Sequence, residues 1–523
     1  MKDQGQAKSR EGNVGQPVWP RIPSAFVRAM LAGHSALGLA FAALIYVVCF
    51  SGSVAVFTQE FERWEMPSAP AGLNPSPSTV QADGARLEAA MDEVMALYPW
   101  AHELLFQLPA SGGAGAFIYV EPDHDDKAQD TVTVRLDRNG QLAGAHHTPW
   151  SRFQAKVHTV LHLPEAWGGF VVGLTGVALL SSLISGVLSH PRVFRDAFTL
   201  RIGGNKRLQE ADLHNRLSIW ALPFHLVVSL TGAFLGLVVV IVGVLAMAAF
   251  GGDSQKAFAL FAAPVPVDNP AKAPLPRITP ALVDAYERLP GSRPVLIRIN
   301  HPGEAGAAVS LTQGTKGKLS IGESLTYDRN GAYIGSSGFE TGTIGQKIVS
   351  TLFYLHFGWF GGLPVKILYG SLGLALTVVT SSGVAIWLAR RRDKGRPAPA
   401  WERLWVALVW SQPLAYAVTA CLSVLNPHTP FLMPVWLTVT ALCGVGSQLV
   451  RGQGPVTRIS RILRAACGLG LYAVVAAHGL RHGLAAQLGA LSGQSGDLMP
   501  LYVNLSLVMM GSLLLASALW RRA

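Results

Sequence analysis

Eight stretches of this chain are long and apolar enough to cross a lipid bilayer, and no other feature limits its fold as strongly. A membrane-spanning helix needs about 20 mostly apolar residues. Runs of that order lie at about 31–57, 165–189, 215–249, 363–389, 403–424, 431–449, 463–488 and 499–519. Charged residues make up only 14% of the chain, against about 25% in soluble domains, and the deficit falls in these runs. The expected fold is mainly α, a polytopic helical membrane protein with about eight transmembrane helices embedded in a lipid bilayer.

The net charge of +11 would suggest a nucleic-acid partner in a soluble protein. Here the basic residues fall in alternate loops instead, as the positive-inside rule requires, and no nucleic acid is expected. They occur at Lys8, Arg10, Arg21 and Arg28, then at Arg192, Arg195, Arg201, Lys206 and Arg207, then at Arg390, Arg391, Arg392, Lys394 and Arg396. Arg451, Arg458, Arg461 and Arg464 follow, and finally Arg521 and Arg522. This places both termini in the cytosol of a bacterial-type inner membrane and segments 58–157 and 251–349 on its other side. The first span is too long for a signal h-region and lacks a cleavage site. Cys49, Cys421, Cys443 and Cys467 lie inside spans and read as small packing residues, with no disulfide framework.

The first four spans are a duplication. His34 precedes Ser51-Gly52 as His214 precedes Thr231-Gly232, with the same 18-residue spacing from His to Gly. Spans two and four each open with Leu-His (Leu161-His162, Leu355-His356), continue through Trp and a Gly-Gly pair, and close with Ser185-Gly186 or Ser382-Gly383. These small residues would let helices approach closely. The intervening segments also match. Each has a helical stretch (85–97, 280–288), then strand-like residues (131–136, 295–299), then an Asp-Arg-Asn-Gly turn (137–140, 328–331). Asn-Gly between strand-like runs signals a hairpin, so each segment is expected to be a small α/β unit. Pro- and Gly-rich stretches at 66–78 and 263–276 read as linkers into them. The layout is then a tail (1–27), span one (28–57), unit one (58–157), spans two and three with a basic loop (158–250), unit two (251–349), span four (350–390), a linker (391–402) and an unduplicated block of four helices (403–523).

Acidic residues avoid the spans, but histidines do not. An ionisable residue within the membrane is costly and is a functional candidate by default. On a straight helix, 18 residues separate His34 from Gly52 by about 27 Å. His34 and His214 would then share one depth near the cytosolic face, and His162 and His356 another near the outer face. Neutral imidazole is the usual axial ligand of b-type haem, so two pairs at two depths are expected to hold two haem irons. His225, mid-span, and His158, one turn before His162, stand in reserve as ligands. Against this stands the blander possibility that a histidine at a helix end is simply an interfacial polar residue. His102, His124, His146, His147 and His301 lie in the outer segments and read as solvated. His478 and His482 share a helix face but have no duplicated partner, so neither metal nor haem is expected there. No phosphate-binding Gly loop with its Lys, zinc-type HExxH, nucleophile elbow, or nicotinamide or flavin fingerprint is present, and no catalytic residue can be named.

The motifs resemble the PepSY-associated transmembrane family over residues 25–393. They are Gly33-His34 through Gly38, Leu161-His162, Asp212-Leu213-His214 with Trp220-Ala221-Leu222-Pro223, Leu355-His356, and the exit Trp387 to Arg391. The resemblance implies that the outer segments are PepSY-type units. It also implies membership of a group that is often iron-regulated and includes di-haem reductases of ferric siderophores. The expected function is electron transfer through two b-type haems, from an unknown cytosolic or membrane donor to a periplasmic acceptor such as a ferric siderophore. The alternative is a membrane-anchored peptide- or protease-binding or sensory protein without redox activity. A transporter built from repeats is disfavoured by the lack of acidic residues in mid-membrane.

Overall fold

The computed structural model describes residues 23–67, 72–109, 115–123, 131–190, 206–261, 269–314, 319–320, 322–338, 340–483 and 498–520. Lys8, Arg10, Arg21, Arg192, Arg195, Arg201, Arg521, Arg522, His124 and parts of both expected linkers lie outside the described residues, as do the side chains of Lys206 and Arg207.

Among the described residues, six helices are each long and apolar enough to cross a bilayer. They are α6 (Glu165–Ser189), α13 (Gly362–Asp393), α14 (Pro399–Leu425), α15 (Leu432–Leu449), α16 (Pro455–His482) and α17 (Met499–Leu519). Two bent pairs complete a set of eight: α1 (Ser24–Ala40) with α2 (Ala42–Ala55), and α7 (Lys206–Trp220) with α8 (Leu222–Gly236). The chain is a multi-pass membrane protein.

The bends correct the expectation of straight spans one and three, because the axes turn by 70° and 71°. In the second pair the cause is local. Pro223 is the second residue of α8, and a proline has no N–H and clashes with the carbonyl four residues back, so α7 cannot run on through it. Nor does the third span run to residue 249. It ends at Gly236, and α9 (Val238–Ala249) is a separate apolar helix, about 18 Å long and too short to span. Glycines let α6 and α8 meet backbone to backbone. A methyl on Gly236 would lie 2.6 Å from the Gly173 Cα, and one on Gly176 would lie 3.0 Å from the Ala233 Cα.

The two α/β units are not separate bodies. Their strands are β1 (Glu103–Gln107), β2 (Ala116–Glu121), β3 (Val132–Leu136) and β4 (Leu142–Ala145), then β5 (Arg293–Asn300), β6 (Ala308–Gly314), β7 (Glu323–Asp328) and β8 (Tyr333–Gly338). All eight form one antiparallel sheet in the order β4-β3-β2-β1-β5-β6-β7-β8. The units join where β1 pairs with β5, from Glu103 opposite Asn300 to Gln107 opposite Leu296. Each unit alone would leave that strand as an open edge, and pairing removes both edges. It also merges two half-cores into one beneath α4 (Val80–Leu97) and α11 (Ile278–Arg288), where Leu87, Phe106, Ile118, Leu282, Ile297 and Leu311 are fully buried. The duplicated turns are built alike. The Asp137 carboxylate accepts from the Asn139 and Gln141 N–H groups at 2.8 and 2.9 Å, and Asp328 does the same for Asn330 and Ala332. Gly140 and Gly331 supply the φ of +79° and +85° that such turns need.

The block α14–α17 docks on α3 (Thr58–Glu65) and α5 (Pro149–Val160) at the sheet end of the bundle. Its joint is polar and buried. The Trp64 indole donates to Asn504 Oδ1 at 2.8 Å, and the Trp150 indole to Thr419 Oγ1 at 3.2 Å. His478 donates to the Trp64 carbonyl at 2.7 Å and stacks on that indole with ring centres 4.6 Å apart. Both of its ring nitrogens are engaged, the second by Asn504.

Candidate functional site

Four imidazoles meet in two facing pairs. His34 on α1 faces His214 on α7 with ring centres 6.3 Å apart and planes at 74°. His158 on α5 faces His356 on α12 (Ile344–Phe357) at 6.1 Å and 16°. Each pair takes one ring from each half of the duplication. A metal lies roughly 2 Å from an imidazole nitrogen that binds it, and that nitrogen is roughly 1 Å from its ring centre. Two rings on opposite sides of one metal therefore have centres about 6 Å apart, which both pairs match.

Each ring is fixed in the same way. His34 Nδ1 donates to the Ser182 carbonyl at 2.8 Å, His214 Nδ1 to Val379 at 2.9 Å, and His158 Nδ1 to Val48 at 3.0 Å. His356 Nδ1 lies 2.8 Å from the Thr231 hydroxyl and also bonds the Val228 carbonyl. In all four cases the acceptor carbonyl lies three residues before the Ser or Thr of a Ser/Thr-Gly dipeptide. That dipeptide's glycine then makes room for the ring edge. A methyl on Gly52 would lie 2.7 Å from His158 Cε1, and methyls on Gly186, Gly232 and Gly383 would lie 3.1–3.2 Å from Cε1 of His34, His356 and His214. With Nδ1 committed as a donor, Nε2 carries the lone pair, the tautomer a metal ligand needs.

The cradles belong to the partner span within each half. The Ser51-Gly52 pair of span one holds His158, and Ser185-Gly186 of span two holds His34. Thr231-Gly232 and Ser382-Gly383 hold His356 and His214 in the same crossed manner. On α13, Gly373 contacts Ser53 beside the Gly52 cradle, and Gly383 is itself the His214 cradle. Ten residues of helix between them separate the two levels by about 15 Å.

The structure does not bring together one of the expected pairs. His162 does not face His356. Helix α5 ends at Val160, and Leu161 and His162 both adopt left-handed φ, +52° and +54°. His162 is thereby turned back onto Phe153, stacking at 4.9 Å and bonding its carbonyl at 3.0 Å. His158, still inside the helix, takes the place opposite His356. Pro164, two residues on, was the sequence signal for a helix end at this point. His225 is wholly buried on α8 between the two levels, and its ring neighbour is Phe224, not an imidazole. His102 and His301 are not freely solvated, because their rings meet at 4.1 Å across the β1–β5 seam.

A cavity of about 930 Å³ borders His158 and His356, walled by Trp167, Phe170, Phe224, Phe353 and Phe357. Its size and apolar lining suit a large flat cofactor. Among the described residues no group of three or more His, Cys, Asp or Glu side chains could hold a bare metal ion. The four histidines offer paired imidazole nitrogens, the donor type that a b-type haem takes. Outside the spans, burial and then the nearby Glu65 carboxylate push the Glu62 carboxyl up to about 7. Burial, reinforced by Arg135, Arg152 and His147, holds His146 down at about 4.

The family model described as the PepSY-associated TM region matches residues 31–390, which include all four facing histidines. An uncharacterized protein of Pseudomonas aeruginosa is 26% identical over 379 residues, covering 68% of this chain and 91% of its own length.

Proposed function

The chain belongs to the PepSY-associated TM family, and from that premise we propose that it passes electrons across a bacterial inner membrane to a periplasmic acceptor. The observation that carries the reading is the two facing histidine pairs, at two levels, with every Nδ1 tied to the protein. His34 and His214 would hold one b-type haem, and His158 and His356 the other. Such a group, when bound, supplies a reversible one-electron iron couple. Each histidine pair would contribute both of the protein's ligands to such a group, and the chemistry it would supply there is one-electron transfer. These carbonyl and hydroxyl partners would keep each ring oriented and raise the basicity of Nε2.

Direction follows from charge. Arg390, Arg391 and Arg392 end α13 on the side of the His34–His214 pair, and the positive-inside rule assigns that side to the cytosol. Both termini are then cytosolic and the sheet periplasmic. Electrons enter from a cytosolic or membrane donor at His34 and His214 and leave near His158 and His356. A ferric siderophore is the acceptor we favour, since oxygen donors that bind Fe(III) tightly hold Fe(II) far less well. A peptide-binding anchor or sensor would have no use for four rings set at metal-ligand spacing. The test is reconstitution of the full chain in liposomes with a ferric hydroxamate outside and reductant inside. Wild type should reduce the iron, and His158→Ala should not. Equal rates for the two would overturn the reading.

A further inference from the structure

A second, smaller site lies where the C-terminal block meets the sheet. This cavity, of about 300 Å³, is lined by Arg135, Arg481, His147, His428, His482 and Glu65 among others. It is a composite: Arg135 comes from β3, Glu65 from α3 and His147 from the turn before α5, while Arg481, His428 and His482 belong to the block outside the family match.

Its charge is unbalanced. The Glu65 carboxylate is fully occupied as part of the joint. It accepts from the Trp150 and Ser151 N–H groups at 3.0 and 2.8 Å and from the Ser151 and Ser423 hydroxyls at 2.6 and 3.2 Å. The two guanidinium groups are held by backbone carbonyls instead. Arg135 donates to Ala143 at 2.7 Å and Arg481 to Val424 at 2.5 Å. Arg135 Nε is buried with no hydrogen-bond partner among the described residues. Neither arginine forms an ion pair with a described carboxylate. His147 donates to the Pro427 carbonyl at 2.6 Å and stacks on His428 at 4.9 Å, closing one wall. A guanidinium fork held in place with unused N–H groups is matched by a planar or tetrahedral oxyanion.

The level of the site narrows the ligand. Leu425, Phe431 and Leu480, at the same helix ends, are 59%, 61% and 83% exposed, so the pocket sits where the apolar belt of the bundle gives way to its polar cap. Phospholipid phosphates lie at that depth. The volume suits a phosphate-sized group and is at the bottom of the range for small-molecule sites. We propose that Arg135 and Arg481 together bind a phosphate-type oxyanion, presented by an anionic phospholipid or free in solution, which ties the C-terminal block to the sheet.

Thermal unfolding of the full chain tests this with two probes. One is phosphatidylglycerol added to phosphatidylcholine nanodiscs, and the other is inorganic phosphate against chloride at matched ionic strength. A rise in melting temperature with the lipid alone identifies a headgroup as the source, and a rise with phosphate identifies a free anion. Either rise should vanish in Arg135→Gln and in Arg481→Gln. Arg481→Lys keeps the charge but loses the fork, so it should fold and bind about tenfold more weakly. No rise with either probe in the wild type, or a rise that Arg481→Lys leaves unchanged, would overturn the proposal.

Discussion

Gly52→Ala is the sharpest single perturbation of the second histidine pair. The added methyl would sit 2.7 Å from His158 Cε1 and 3.0 Å from its Nδ1, where a relaxed contact needs about 3.5 Å or more. The ring must therefore give by about 0.8 Å. It cannot slide freely, because Nδ1 is bonded to Val48 on the same helix as the new methyl. Overpacking of this kind costs about 1–3 kcal/mol. A ring displaced by that amount also cannot keep a nitrogen roughly 2 Å from a metal. Gly186→Ala is the internal control, because its methyl would lie 3.2 Å from His34 Cε1, and a shift of about 0.3 Å relieves it. Haem extraction and the reduced-minus-oxidised absorption spectrum of purified protein read the difference. Gly52→Ala should lose about one of two haems, or convert it from a two-histidine to a one-histidine spectrum, while Gly186→Ala retains both. Identical haem content and spectra in Gly52→Ala and wild type would refute the cradle argument.

Three further outcomes are expected. His158→Ala should abolish the haem near the sheet while His162→Ala leaves both in place; a loss confined to His162→Ala would show that the pairing described here is wrong. Glu62 is an acid raised from 4.5 to about 7, so its neutral form favours folding. That contribution is complete below about pH 4.5 and is lost as pH rises through about 7, by at most about 3 kcal/mol. Melting curves of Glu62→Gln and wild type should therefore coincide near pH 5 and diverge by pH 8 with the variant more stable, and a pH-independent difference would exclude this role. A reporter fused after Arg138 should behave as periplasmic, and a cytosolic signal would invert the topology.

Much of this arrangement can be read from residue patterns, because lipid leaves a chain few choices. The apolar runs mark the eight spans, and the repeated Asp-Arg-Asn-Gly turns mark the two hairpins. What escapes the sequence depends on contacts between distant residues. Nothing in residues 103–107 alone says that β1 will find β5 nearly 200 residues later and fuse two units into one sheet. The runs read as straight spans, although Pro223 inside the third run is a signal for the 71° bend; the bend at Phe41 has no comparable marker. His162 is singled out because Leu-His recurs in both halves, yet the helix stops at Val160 and the ring opposite His356 is that of His158. The four Ser/Thr-Gly dipeptides are visible as a repeat. Their service as ring cradles appears only when span one is laid against span two, because each dipeptide holds the other span's histidine.

Haem content tests transmembrane electron transfer by this chain most directly. The chain has no Cys-x-x-Cys-His, so any haem is bound without covalent attachment and should extract into acidified acetone. Folded protein from haem-replete cells should yield about two haems per chain, with a spectrum that shifts on reduction by dithionite. A folded, haem-replete preparation that yields none would contradict the account and leave the facing histidines as structural contacts.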